Sequence, residues 1–320
     1  MRNQPVKAWT KLLLTAGVGT LAVSVVAGLF APRLLAQSAT VPQWQTDAGG
    51  KMAFDVASVR QDTAEPSAAT TSTNVPLGDQ DNFVPTGGLF SASDYRLLNY
   101  LIFAYKIPPS QWVAVESQLP KWVEGKRYDI RARAAGNPGK NQFRLMMQTL
   151  LAERFKIAVH YEERQVPVFA LVEDKKGKKG PRLQPHASDP PCSNTVPPAF
   201  GAVPKVAGGF PAFCGGVQVR PSNTPGRIDA SARNVPMAII ANMLGMQQVT
   251  GVDRPVLDKT ELTGMFDFDL EFVPPDNSED DPTGPTFSQA LRDQLGLKLD
   301  SSKGAVNMIV IDHLEPPTEN

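Results

Sequence analysis

Histidine and cysteine are scarce: three and two among 320 residues. No sign of charge prevails, with 32 basic side chains against 32 acidic. Removing Met1 to Ala36 deletes Arg2, Lys7, Lys11 and Arg33 and no acid, leaving 28 minus 32, or −4. A mildly acidic chain without a dense basic face gains no counterion release on a polyanion, so no nucleic-acid partner is expected. Catalytic signatures are also missing. There is no Gly-x-Ser-x-Gly elbow, no phosphate-cradling glycine loop and no Cys–His nucleophile pair. No cofactor is expected, and no metal, because neither His186 nor another histidine completes a ligand set at zinc-like spacing.

What is present begins with an export signal. Arg2, Lys7 and Lys11 precede an uncharged apolar run from Leu12 to Ala31, followed by Leu34-Leu35-Ala36-Gln37. That layout predicts a secretory signal cut after Ala36. The run is also long enough to span a bilayer uncut, so an inner-membrane anchor over residues 12–31 is the alternative. Both place the rest of the chain outside, in the periplasm or secreted, since positive residues stay inside. No cysteine near the cut offers a lipid attachment point. In that oxidising compartment Cys192 and Cys214, which flank a Pro- and Gly-rich loop, are expected to form a disulfide.

The chain also matches itself. Gly88-Leu89-Phe90-Ser91-Ala92-Ser93 aligns with Gly226-Arg227-Ile228-Asp229-Ala230-Ser231 at an offset of 226 minus 88, or 138. Without a gap that offset pairs Leu97, Leu101 and Ile102 with Val235, Ile239 and Ile240, then Tyr128-Asp129-Ile130 with Phe266-Asp267-Phe268. Further on, 144 pairs Phe143, Met147 and Leu151 with Phe287, Leu291 and Leu295, and 142 pairs Phe155-Lys156-Ile157 with Leu297-Lys298-Leu299. Repeated order of patterned elements indicates duplication.

One copy defines the unit. Leu97, Leu98, Leu101 and Tyr105 make an amphipathic helix that Asp94 is placed to cap, and its partner starts from Asn234 as N-cap. Tyr128, Ile130, Ala132 and Ala134 alternate with Asp129, Arg131 and Arg133; Phe266, Phe268, Leu270 and Phe272 alternate with Asp267, Asp269 and Glu271. Period two with one charged face predicts half-buried strands. A second helix is expected over about Asn141 to Arg154 and Thr286 to Leu295. Two closing hairpins follow: Lys156 to Tyr161 with Val166 to Val172, and Lys298 to Asp300 with Val306 to Asp312. The expected fold class is α+β, two tandem copies of a small two-layer sandwich (strand, helix, strand, helix, strand, strand) after an N-terminal signal or anchor helix. The expected divisions are 1–36 signal or anchor, 37–51 flexible leader, 52–185 first repeat, 186–225 linker with the disulfide loop, and 226–320 second repeat. Phe54 to Val59 adds a strand to the first sheet, and Pro274 to Pro285 is an acidic loop.

Several stretches carry a family likeness. Phe54-Asp55-Val56-Ala57-Ser58-Val59, Leu150-Leu151-Ala152-Glu153-Arg154-Phe155-Lys156, Asp258-Lys259-Thr260-Glu261-Leu262-Thr263-Gly264 and Val310-Ile311-Asp312-His313 resemble an uncharacterised family of exported proteins expanded in soil acidobacteria. Related domains in that family sit behind antibiotic-sensor-type membrane metallopeptidases. This chain lacks the His-Glu-x-x-His helix such a peptidase needs, so the resemblance implies no peptidase activity here. More distantly, the order from Asn234-Val235-Pro236 to Leu297-Lys298-Leu299 is similar to the short N-terminal domain of secretins and TonB-dependent receptors, which mediates protein contacts in the periplasm.

Candidate site residues are correspondingly few. Trp112 and Trp122 occupy a connection of the first copy that has no tryptophan in the second, and so mark a ligand surface or a roof over that copy's core. His160 beside Tyr161 and His313 beside Asp312 are the acid–base candidates, without a nucleophile nearby in sequence. Lys175 to Gly180 is a basic turn. The expected function is a non-catalytic adaptor for an envelope protein or peptide, engaged by sheet edges or the Trp-bearing loop; membrane contact is limited to an uncut N-terminal segment. The alternative is an envelope hydrolase using His313 or His160.

Overall fold

The computed structural model describes residues 41–64, 70–193, 204–206, 208–277 and 284–317, all within one compact unit. The expected signal or anchor over 1–36 and its cut site lie outside them, as do Glu279, Asp280 and Asp281 of the acidic loop. The fold is mixed α/β, with three sheets and seven α-helices among the described residues. In chain order the elements begin α1 (Gln43–Asp47), β1 (Val56–Asp62), β2 (Ser72–Thr73), β3 (Leu89–Arg96), α2 (Leu97–Tyr105), α3 (Trp112–Glu116), β4 (Arg127–Arg133), α4 (Lys140–Phe155), β5 (Ala158–Glu173) and β6 (Leu183–Pro185). They continue with β7 (Gly216–Pro221), β8 (Ile228–Val235), α5 (Met237–Leu244), α6 (Gln247–Thr250), β9 (Val256–Asp258), β10 (Phe266–Phe272), α7 (Phe287–Ala290) and β11 (Leu297–His313).

Two antiparallel sheets run β1-β4-β3-β2 and β6-β10-β8-β7. Alternation in β4 and β10 aims Tyr128, Ile130 and Ala132, and Phe266, Phe268, Leu270 and Phe272, at two apolar cores. The first core is closed by α2 and α4 through Tyr100, Phe103, Phe143 and Phe155, and Tyr100 Oη donates to the Tyr128 carbonyl at 2.7 Å. The second is closed by α5, α7 and the π turn Leu291–Leu295 that follows. The single helix expected over Thr286 to Leu295 is therefore one α turn capped by Thr286, then the π turn ending at left-handed Gly296. β6 and β7 both join the second sheet, from within 52–185 and 186–225 respectively. α1 falls within 37–51, and its Gln45 Nε2 donates to Tyr161 Oη.

Neither expected helix cap is used. Asp94 and Asn234 instead sit in β-bulges with left-handed backbones, φ 64° and 56°, where two residues face one on the neighbouring strand. The opposing residues are Asp129 and Asp267, whose Oδ1 atoms accept the Asp94 and Asn234 amides at 2.9 Å in both cases. Short polar side chains tolerate this backbone region best, which is why Asp and Asn stand there. The helices begin two residues later, with Arg96 and Pro236 as caps. The bulge positions are 234 minus 94, or 140, apart, whereas their partners are 267 minus 129, or 138, apart. The ungapped offset of 138 thus equals the spacing of Asp129 and Asp267 but is two short of the spacing of the bulge residues.

The separate closing hairpins are not formed. Lys156 to Val172 and Lys298 to Asp312 fall almost wholly in two long strands, β5 and β11, which pair antiparallel with each other from Ala158–His313 to Glu173–Leu297. Each strand therefore serves both cores: Val159, Tyr161, Ile309 and Ile311 pack on the first, Phe169, Leu171, Leu297 and Leu299 on the second. Local pattern cannot distinguish a hairpin from such a ribbon, since both bury alternate residues. β9 extends the ribbon in parallel beside Phe169–Leu171. On β11 a side chain takes the equivalent place: Gln118 Nε2 donates to the Ile309 carbonyl at 3.3 Å, and Gln118 Oε1 accepts the Ile311 amide at 2.9 Å.

Candidate binding surfaces

Because β10 sends its apolar residues inward, Asp267, Asp269 and Glu271 stand on its opposite face, and each gathers cations. Glu271 accepts Ser222 Oγ at 2.6 Å and Arg227 at 3.0 Å. Asp269 lies diagonally across from Asp229 on β8 and meets Arg182 at 3.1 Å, while Lys205 bonds Asp229 at 2.9 Å. Burial, reinforced by the Asp229 charge, pushes the Asp269 carboxyl up to about 6, so this pair holds a proton well above the ordinary carboxylate range.

Asp267 anchors the third cluster. Its Oδ1 lies 2.8 Å from His186 Nδ1, and its Oδ2 lies 3.8 Å from Arg233 Nε. Arg233, 1% exposed, donates to the Pro190 carbonyl and so holds the start of the cysteine loop against this face. Cys192 and Cys214 form a disulfide with Cα atoms 5.5 Å apart, consistent with an oxidising, exported location. A ring nitrogen of His186 and both sulfurs lie within 4.8 Å of one another. Sequence spacing missed this triangle, since tertiary pairing of β6 with β10 is what carries His186 there.

Trp112 and Trp122 are half-buried against the first core, and Trp112 Nε1 donates to the Ile107 carbonyl at 3.0 Å. Beside them Arg96, Val113, Glu116, Leu119, Pro120 and Val123 line a groove of about 430 Å³. The two catalytic candidates stand on the ribbon. His160 Nδ1 lies 2.8 Å from Asp312 Oδ1 and its Nε2 lies 3.2 Å from Glu162, and these hydrogen bonds, Asp312's first, raise its pKa. His313 Nε2 lies 2.7 Å from Glu315. Both imidazoles are more than a third exposed. The basic turn folds back onto the π turn, where Gly180 N donates to the Leu295 carbonyl at 2.9 Å. A Cβ at Gly180 would come within 2.3 Å of the Gln294 carbonyl oxygen, so only glycine fits there. No helix among the described residues is long and apolar enough to cross a membrane.

A family model for a protein of unknown function, DUF3738, matches residues 98–314, from the first turn of α2 to the end of the ribbon. The chain belongs to that family. The DUF3738 match takes in the second core, the first core apart from its residues before α2 such as Val59, Val75 and Phe90, and all of the acidic face of β10. Comparisons with curated proteins and with solved structures find no match.

Proposed function

We propose that this DUF3738 protein is a non-catalytic binding protein of the envelope that takes an extended segment of a protein or peptide along its ribbon. The observation that carries the reading is the open side of the ribbon. Among the described residues only β9, at Phe169–Leu171, pairs with β5 on the side away from β11, leaving Ala158–Val168 without a strand neighbour there. An edge of this length offers unpaired backbone donors and acceptors for strand addition. Glu163, Arg164 and Gln165 are exposed along it, with Pro167 at its end, the kind of residues that keep an edge from pairing indiscriminately. A photo-crosslinking amino acid at Gln165 in the intact envelope should capture one discrete partner that a crosslinker at Lys126 does not. Absence of any adduct at Gln165, together with turnover of wall or peptide substrates, would overturn the reading.

The alternative hydrolase draws on the Asp312–His160 contact, an arrangement that orients an imidazole. Against it, His160 and His313 hydrogen-bond to the carboxylates of Asp312, Glu162 and Glu315 rather than to a hydroxyl or thiol they could activate. Loss of a measured turnover in His160→Ala or His313→Ala would support this alternative.

We also infer that the two sheets descend from one duplicated unit. The support is their shared strand order, the paired bulges, and left-handed helix ends at Lys156 and Gly296, which are again 296 minus 156, or 140, apart. Export rests on the charged, apolar N-terminal layout and the disulfide. Mass spectrometry of the envelope-purified chain should find Gln37 as its first residue.

A further inference from the structure

We propose that His186, Cys192 and Cys214 form a thiol-gated site for a thiophilic divalent cation of the zinc type, closed while the cystine is intact and open to metal once it is reduced. Three soft or borderline donors converge there within 4.8 Å of one another. Two thiolates on one tetrahedral cation stand roughly 3.8 Å apart. The Cα separation of 5.5 Å allows that spacing by side-chain rotation, without moving either strand of chain. Asp267 Oδ1 holds Nδ1 of the imidazole at 2.8 Å, which leaves Nε2 as the nitrogen for a cation. A carboxylate behind a ligating histidine fixes its tautomer and raises its basicity. Asp267 is in turn fixed by the Asn234 amide at 2.9 Å and by Arg233 at 3.8 Å, and it is 6% exposed, so the orienting group is itself immobile.

The chemistry balances with a dithiol reductant. It gives two electrons and two protons to the Cys192–Cys214 bond and itself becomes a disulfide. The cation then binds both sulfurs and Nε2, and two thiol protons leave to solvent. A fourth position remains for water or a partner's donor. Cystine and metal close the same loop, so the exchange converts a purely structural clasp into one with an open coordination position.

The test uses the full chain, oxidised and after treatment with a phosphine reductant, titrated with Co2+ alone. The reduced protein should develop a thiolate-to-cobalt charge-transfer band that saturates at one ion per chain, and the oxidised protein none. Cys192→Ser should abolish the band. His186→Ala and Asp267→Asn should weaken binding by roughly 10-fold or more, with the band retained at high cobalt. Far-ultraviolet circular dichroism follows folding in each sample. A folded reduced chain without the band, a reduced chain that unfolds and is not refolded by cobalt, or His186→Ala binding as tightly as the parent would each overturn the proposal.

Discussion

Arg144 on α4 is fully buried, yet its guanidinium is surrounded by acceptors rather than apolar atoms alone. It donates to the carbonyls of Gly78, Asp79 and Gln80 and to Asp81 Oδ1, with Phe103 and Trp44 about its faces. Gln80 continues the link by accepting the Val217 amide of β7 at 2.6 Å, so this one side chain holds a strap between the two sheets. Arg144→Met should cost about 3–5 kcal/mol by urea denaturation, because the Gly78 and Asp79 carbonyls lose this donor at once, while Gln80 and Asp81 keep only Lys140 and Lys106. At the Asp229–Asp269 pair the expected effect is one of pH. With the Asp269 carboxyl pushed up to about 6, the unfolded chain loses this proton first. The contribution of this one group therefore falls as pH rises from about 4 to 6 and is constant above. Asp269→Asn keeps the neutral form permanently, so it should raise the melting temperature more at pH 7.5 than at pH 4.5; an equal change at both would contradict the shared proton.

Among the elements, the ribbon is the one that local pattern mispredicted. Its apolar positions were legible, but the partner of each strand was not, because hairpin and cross-core pairing bury the same residues. The bulges show a similar limit. Asp94 and Asn234 look like helix caps from spacing alone, and the structure uses them two residues earlier as left-handed bulge residues bonded to Asp129 and Asp267. Gln118 on the edge of β11 makes an element-scale prediction. Gln118→Ala removes the amide that stands in for a third strand, so hydrogen exchange at the Ile311 amide should quicken by about 10-fold while Phe169, protected by the Pro255 carbonyl, is unchanged.

For the whole molecule, a ribbon shared between cores implies shared stability. Ile309 and Ile311 come from the last strand yet complete the first core, and Phe169 and Leu171 come from the first half yet complete the second. Unfolding of either core strips the other of part of its cover. Trp44, Trp112 and Trp122 all lie by the first core, so their fluorescence reports that half alone, whereas far-ultraviolet circular dichroism reports both. The two probes should give coincident urea transitions. A fluorescence midpoint displaced from the dichroism midpoint would mean that the halves unfold separately.

Alternation in β4 and β10, the apolar stripes of α2 and α4, and the cysteine pair were legible in sequence because each depends on residues near one another in the chain or on the only two thiols present. Non-local geometry decided the rest. Pairing of β5 with β11, the meeting of His186 with the cystine, and the diagonal approach of Asp229 to Asp269 join residues whose nearness follows from strand order and register, which periodicity leaves undetermined.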